Sequence, residues 1–321
     1  MGKAYEMFQV WDAWYSGDTE ALEWLYATNR LMRKTSVWGQ VKRMFWGTPT
    51  PMNSDQRPIK LHIPVASEVA RLSSQIEFGE MPYLGFGDMD GDADDKGLTP
   101  ATAKTASKRL NEILDDHAHA VLLEMAELKS ALGGAFLRVR WDRDTVPDRP
   151  FIDAVGADQA VPEFSFGRLR AVTFWSDLAA VQGRSEHYKL LERHEVGSVE
   201  FGVYEASTGM ELGRRIPLSE HPDTAEFAKV VNEQSAILTG STLLTAVYIP
   251  NLAPNRLWRK DPVICHLGRS DFDGADDTFD AIDETYTSWM RDIRLGKARI
   301  MVPKGFLNVG GPGQSATFNS D

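Results

Sequence analysis

One cysteine, Cys265, serves 321 residues, so no disulfide can form within the chain and a thiolate metal site is excluded in practice. A reducing compartment suits such a chain. No run of about 18 apolar residues occurs, so nothing reads as a membrane-spanning helix. The opening "MGKAYEMFQVWDAWYSG" lacks the apolar stretch of a signal peptide, and Glu6 stands where a myristoylation signal wants Ser or Thr. Positive charge is also short. The 35 Lys and Arg are outnumbered by 46 Asp and Glu, which leaves a net charge of −11. A protein that grips DNA tightly shows a basic face, whereas an acidic one can let the polymer slide past without sticking. Solubility alone also accounts for the balance, and composition favours that reading.

Motifs of catalysis are missing too. There is no G-x-S-x-G, no H-E-x-x-H and no phosphate loop. Gly97 with Lys104 and Thr105 lacks the glycine that must precede the lysine. "GFGDMDGDADDKG" at 85–97 imitates a calcium loop, but its sixth and twelfth positions hold Ala93 and Thr99 instead of Gly and Glu. It reads as a solvated acidic turn. His117 and His119 are two apart, hence about 200° apart on a helix, and cannot share a metal.

What is present is ordinary for a folded chain: 42% hydrophobic and 25% charged residues, enough for a buried core and two domains. Residues 1–43 read as short helices, with Phe8, Trp11, Trp14, Leu22 and Leu25 at helical spacing and Asp18 or Thr19 as a cap after the "SGD" turn. Trp38 and Trp46 lie near Lys42 and Arg43. Such rings could stack on nucleic acid, or be partly buried beneath the basic stems. Residues 48–58 form a loop by their Pro, Asn and Ser content. Val65, Val69, Leu72 and Ile76 then define one face of a helix closed by Gly79 and Pro82. Residues 105–132 read as one long helix that stops at Gly133 and Gly134. From Ala135 the period changes to two. "AFLRVRWD", "PFIDAV", "GRLRAVTFW", "YKLLERHE", "SVEFGVYEA" and "LLTAVYIPN" are strands separated by short polar turns, which predicts an antiparallel sheet. Residues 222–238 read as helix or loop. The fold class is therefore α+β.

The stretch at 268–303, "GRSDFDGADDTFDAIDETYTSWMRDIRLGKARIMVP", sorts its charges. Phe279, Ile282, Tyr286, Trp289 and Ile293 recur at gaps of three and four, a narrow apolar seam suited to packing on other helices. Asp276, Asp280 and Glu284 stand at successive i,i+4 positions, an arrangement that costs an isolated helix about 0.2–0.5 kcal/mol per pair. Arg291, Arg294, Lys297 and Arg299 follow. Two accounts remain open. Acids favour a helix N-terminus and bases its C-terminus. Alternatively, offset copies set the acids of one helix against the bases of the next.

Three segments resemble tailed-bacteriophage portal proteins of the siphovirus type. They are "SGDTEALEWLY", "IPVASEVARLSSQIEFGEMP" and the charge-sorted stretch, in that order along most of the chain. The resemblance implies a portal-like wing of helices around a mostly antiparallel sheet, followed by a long stem helix. Residues 1–60 would be the helical part of the wing, 61–267 the α+β wing, 268–297 the stem helix and 298–321 the start of the clip. It further implies a homo-oligomeric ring, typically a dodecamer, at one capsid vertex of the virion, assembled in the host cytoplasm. Double-stranded DNA passes through such a ring, and terminase, scaffold, major capsid and head-completion proteins contact it. No catalytic residue, cofactor, metal or membrane is expected. The seam residues would pack the stem. Arg291, Arg294, Lys297 and Arg299 would meet DNA or a neighbouring subunit, and Asp276, Asp280 and Glu284 would supply the opposing acids. The rest of the clip, a second stem helix, a tunnel loop and a crown do not appear before Asp321, so the chain reads as a fragment or truncated product. The alternatives are another virion component or a metal-dependent phage nuclease.

Overall fold

A computed structural model describes residues 1–32, 60–85, 100–142, 145–183, 185–209, 211–297, 307–308 and 317–318. The chain clusters into two units, one of residues 1–32 and 64–276, the other of residues 33–63 and 277–321.

The first unit begins with α1 (Gly2–Ser16) and α2 (Thr19–Met32). Gly17 takes φ 68 and closes α1, its N–H reaching the Ala13 carbonyl at 3.1 Å. One residue later, the Asp18 carboxylate accepts the Glu20 N–H at 3.2 Å and caps α2. Phe8, Trp11, Trp14, Leu22 and Leu25 are all buried, as their spacing predicts. Trp11 and Phe8 pack on Trp258 with ring centroids 6.0 and 6.3 Å away.

Next come α3 (Val65–Phe78), α4 (Pro100–Ile113) and α5 (Asp116–Leu132). The single helix expected over 105–132 is two. Asp115 adopts an extended backbone and its carboxylate caps α5 through the Ala118 N–H at 2.9 Å. Arg149 secures the break, donating to the Glu112 carbonyl and to the Asp115 carboxylate. The apolar period runs through this break, so periodicity alone does not mark it.

All strand pairing is antiparallel. A three-stranded sheet has the order β2 (Phe151–Gly156), β1 (Gly134–Arg140), β9 (Ala246–Pro250). A larger sheet runs β3 (Ala160–Ser165), β4 (Arg168–Asp177), β5 (His187–Glu195), β6 (Ser198–Ala206), β7 (Arg214–Ile216), with β8 (Ala236–Leu238) also on β6. Short α6 (Pro222–Ala225) lies between β7 and β8. Alternation along β1 builds two cores. Ala135 and Leu137 face Leu122 and Met125 of α5, while Phe136 faces Val172 and Phe174 of the larger sheet. At the end of that second core the Arg138 and Arg140 guanidiniums bond Asp153 of β2 and Glu192 of β5 at 2.8–2.9 Å, joining the two sheets. His194, fully buried, spans Glu192 at 2.9 Å and Thr245 at 2.7 Å.

The apolar face of α3 is turned outward. Ala66, Ala70 and Ser74 are buried and α3 packs on α5, whereas Val69, Leu72 and Ile76 are exposed, Ile76 at 84%. Small side chains let two helices approach closely, and that geometry wins over burying the larger stripe.

In the second unit, α7 (Asp276–Lys297) starts one residue before the boundary, and β10 (Leu307–Asn308) pairs with β11 (Thr317–Phe318). No helix among the described residues is long and apolar enough to cross a membrane.

Candidate functional site

Helix α7 carries the residues that the charge pattern singles out, apart from Arg299. At 100° per residue, Asp280, Asp283 and Thr287 fall within about 60° of one another, on one flank of the seam. Residues 60–63 run past that flank in extended form and are held there by these three side chains. Asp283 is buried. One carboxylate oxygen accepts the Ile63 N–H at 2.8 Å and the other lies 2.9 Å from His62 Nδ1. The Leu61 N–H donates to Thr287 Oγ1 at 2.8 Å. Lys60 Nζ pairs with Asp280, also buried. An extended segment has no partner for its own backbone N–H groups, and each left buried and unmade would cost about 1–3 kcal/mol. Asp283 supplies the partner for Ile63 and Thr287 that for Leu61, while Asp280 and Asp283 also hold the side chains of Lys60 and His62.

Asp280, expected to face a neighbouring subunit, is thus engaged within its own unit, while Asp276 is half-buried and Glu284 is exposed. Asp283 was not singled out by sequence reasoning at all. It was legible only as a polar residue at the edge of the seam, next to Phe279, Tyr286 and Met290 on the helical wheel.

The distal half differs. Phe279 is buried and Ile282 and Tyr286 are half-buried, but Trp289 is 61% exposed, Ile293 37% and Leu295 55%. Tyr286 and Trp289 remain in edge contact at 6.3 Å between ring centroids. Arg291 and Arg294 are exposed, Arg291 on the side opposite Trp289 and Ile293. Arg291 has only a loose approach to its neighbour Asp292 at 3.9 Å, a pairing worth little in water. The side chain of Lys297 and all of Arg299 lie outside the described residues, as do Trp38, Lys42, Arg43, Trp46, the 48–58 loop, most of the 85–97 acidic turn and most of 298–321.

An amphipathic helix is fixed at one end by hydrogen bonds and presents apolar and cationic side chains at the other. Among the described residues, no three His, Cys, Asp or Glu side chains gather as a metal site. His117 is exposed and His119 Nε2 lies 2.7 Å from the Phe78 carbonyl. Compared with known families and with curated proteins, the chain matches no family model and no curated protein.

Proposed function

We propose that this chain is a subunit of a bacteriophage portal ring, in which the distal half of α7 packs against neighbouring copies around a channel for double-stranded DNA. One observation carries the reading. The seam of α7 continues past the part held by residues 60–63 and leaves Trp289 and Ile293 exposed on one face, while Leu295, Arg291 and Arg294 are exposed around the rest of the helix. An exposed apolar stripe on an amphipathic helix marks a contact site, and another helix fits it. Identical copies meeting head to tail close into a ring. The acidic balance of the chain suits a conduit through which phosphates slide. In this reading terminase, scaffold, capsid and head-completion proteins are the other partners, and the chain performs no catalysis of its own.

Electron microscopy of the purified protein tests it. Rings with a central hole are expected, and Arg291→Glu with Arg294→Glu should impair ring formation or DNA retention. A monomer under conditions where capsids assemble would end the proposal. Particles without a hole would point instead to another virion component, and metal-dependent cleavage of plasmid DNA would revive the nuclease.

A further inference from the structure

Strands β3 and β4 are joined by a two-residue loop, Phe166-Gly167, between the paired residues Ser165 and Arg168. Both loop residues have positive φ, 49 and 78, as the tight hairpin turn that matches strand twist requires. Gly, Asn and Asp suit the first of these positions; a bulky aromatic there is an outlier. Its ring recovers nothing from its own chain, because Phe166 is fully exposed. The hairpin beneath it is held firmly. Phe164 lies between the rings of Tyr248 and His266, at 5.8 and 5.2 Å, and Arg193 grips Glu163 at 2.6 Å. Arg168 and Arg170, both exposed, flank the tip. A strained backbone that lifts a large apolar side chain into water, on a rigid base, is a preorganised knob.

The same unit carries a matching socket. The outward face of α3 presents Val69, Leu72, Ser73 and Ile76, the i, i+3, i+4, i+7 set that forms a hole for one knob. Around it Glu68, Glu77 and Glu80 stand against Arg71 and Lys129, a balance of one negative charge; Glu68 is paired with Arg71 and Glu77 with Lys129, while Glu80 is exposed. Knob and socket are thus complementary in shape, in apolar character and in sign of charge.

We infer that Phe166 of one copy of this chain inserts into the Val69–Leu72–Ser73–Ile76 hole on α3 of the next copy, with Arg168 and Arg170 beside the carboxylates. The contact is heterologous, since it uses two different patches, and such contacts propagate around a ring. The inference rests on the ring reading and gives it a second interface, formed by the first unit.

Phe166→Asn tests the knob without harming the fold, because Asn tolerates positive φ. Ile76→Glu tests the socket at a side chain already in water. Each variant alone should fold with unchanged or higher thermal stability and lose self-association by about tenfold or more, as removal of one buried aromatic contact implies. Mixed in equal amounts, they should recover part of the lost self-association, because the Ile76→Glu copy lends its knob to the intact socket of the Phe166→Asn copy. Sedimentation velocity reads all three states. Rings of unchanged stability from Phe166→Asn would overturn this contact and leave the ring reading standing. Open chains sensitive to both variants would uphold the contact and overturn the ring. Wild-type protein that stays monomeric at its highest soluble concentration would overturn both.

Discussion

Replacing Asp283 with Ala removes the acceptor that holds residues 60–63 to α7. Two hydrogen-bonding interactions go with it, from the Ile63 N–H at 2.8 Å and with His62 Nδ1 at 2.9 Å, at a carboxylate only 1% exposed. Leaving a buried donor unsatisfied costs about 1–3 kcal/mol, and bonds to a charged acceptor sit in the upper part of that range. Two such losses sum to roughly 2–6 kcal/mol. Local opening of the segment then becomes easier by that amount, and each 1.4 kcal/mol is about a factor of ten. The Ile63 amide should exchange with deuterium on the order of a hundredfold faster in Asp283→Ala, the Leu61 amide should follow, and amides of β5 should not change. Glu284→Ala, one residue further on and exposed, should leave all of them as they were. If Ile63 keeps its wild-type protection in Asp283→Ala, the acids of α7 are not there to hold residues 60–63, and the charge sorting needs another cause.

Two further predictions concern the first unit. Asp158 is pushed up to about 6 by burial and by the charge of Asp12. Its folded value stands above the ordinary 3.8, so its stabilising contribution is complete below about pH 4 and is lost as pH rises through 6. Asp158→Asn should therefore raise stability above pH 6 by roughly 2–3 kcal/mol, with the gain shrinking to nothing near pH 4 in thermal melts. A gain independent of pH would refute the cause. Glu192 behaves oppositely. Burial alone would raise its value, but the bond with His194 and the guanidiniums of Arg138 and Arg140 hold it below the usual carboxylate range. Its contribution is present at neutral pH and disappears in acid. Glu192→Gln leaves the guanidiniums of Arg138 and Arg140 to Asp153 and removes the charge-assisted bonds to β5, which should cost about 1–3 kcal/mol in urea unfolding at neutral pH. That deficit should narrow in acid, and a constant one would refute the assignment.

Local signals in this chain were reliable where the structure they specify is local. The α1–α2 turn followed from Ser16, Gly17 and Asp18, because a left-handed glycine and a capping carboxylate act on neighbouring backbone. Strands β1, β2, β4, β5, β6 and β9 followed from alternation and from turn residues between them. Strand β3 was missed, and β7 and β8 are too short to show a period at all. The last two exist because β6 offers them a ladder. The break at Asp115 depends on Arg149, 34 residues away.

The composition and order of residues thus determined an α+β chain with antiparallel strands and an amphipathic, charge-sorted helix near its end. Period tells which residues share a face; it is silent on which face is packed. On α3 that choice went to Ala66, Ala70 and Ser74, since close approach to α5 needed small side chains, and the larger stripe was left in water. On α7 it fell to a segment about 220 residues earlier in the chain to turn Asp280 and Asp283 from surplus charge into hydrogen-bond acceptors. Only tertiary structure decides such matters, because the groups that settle them meet only when the chain has folded.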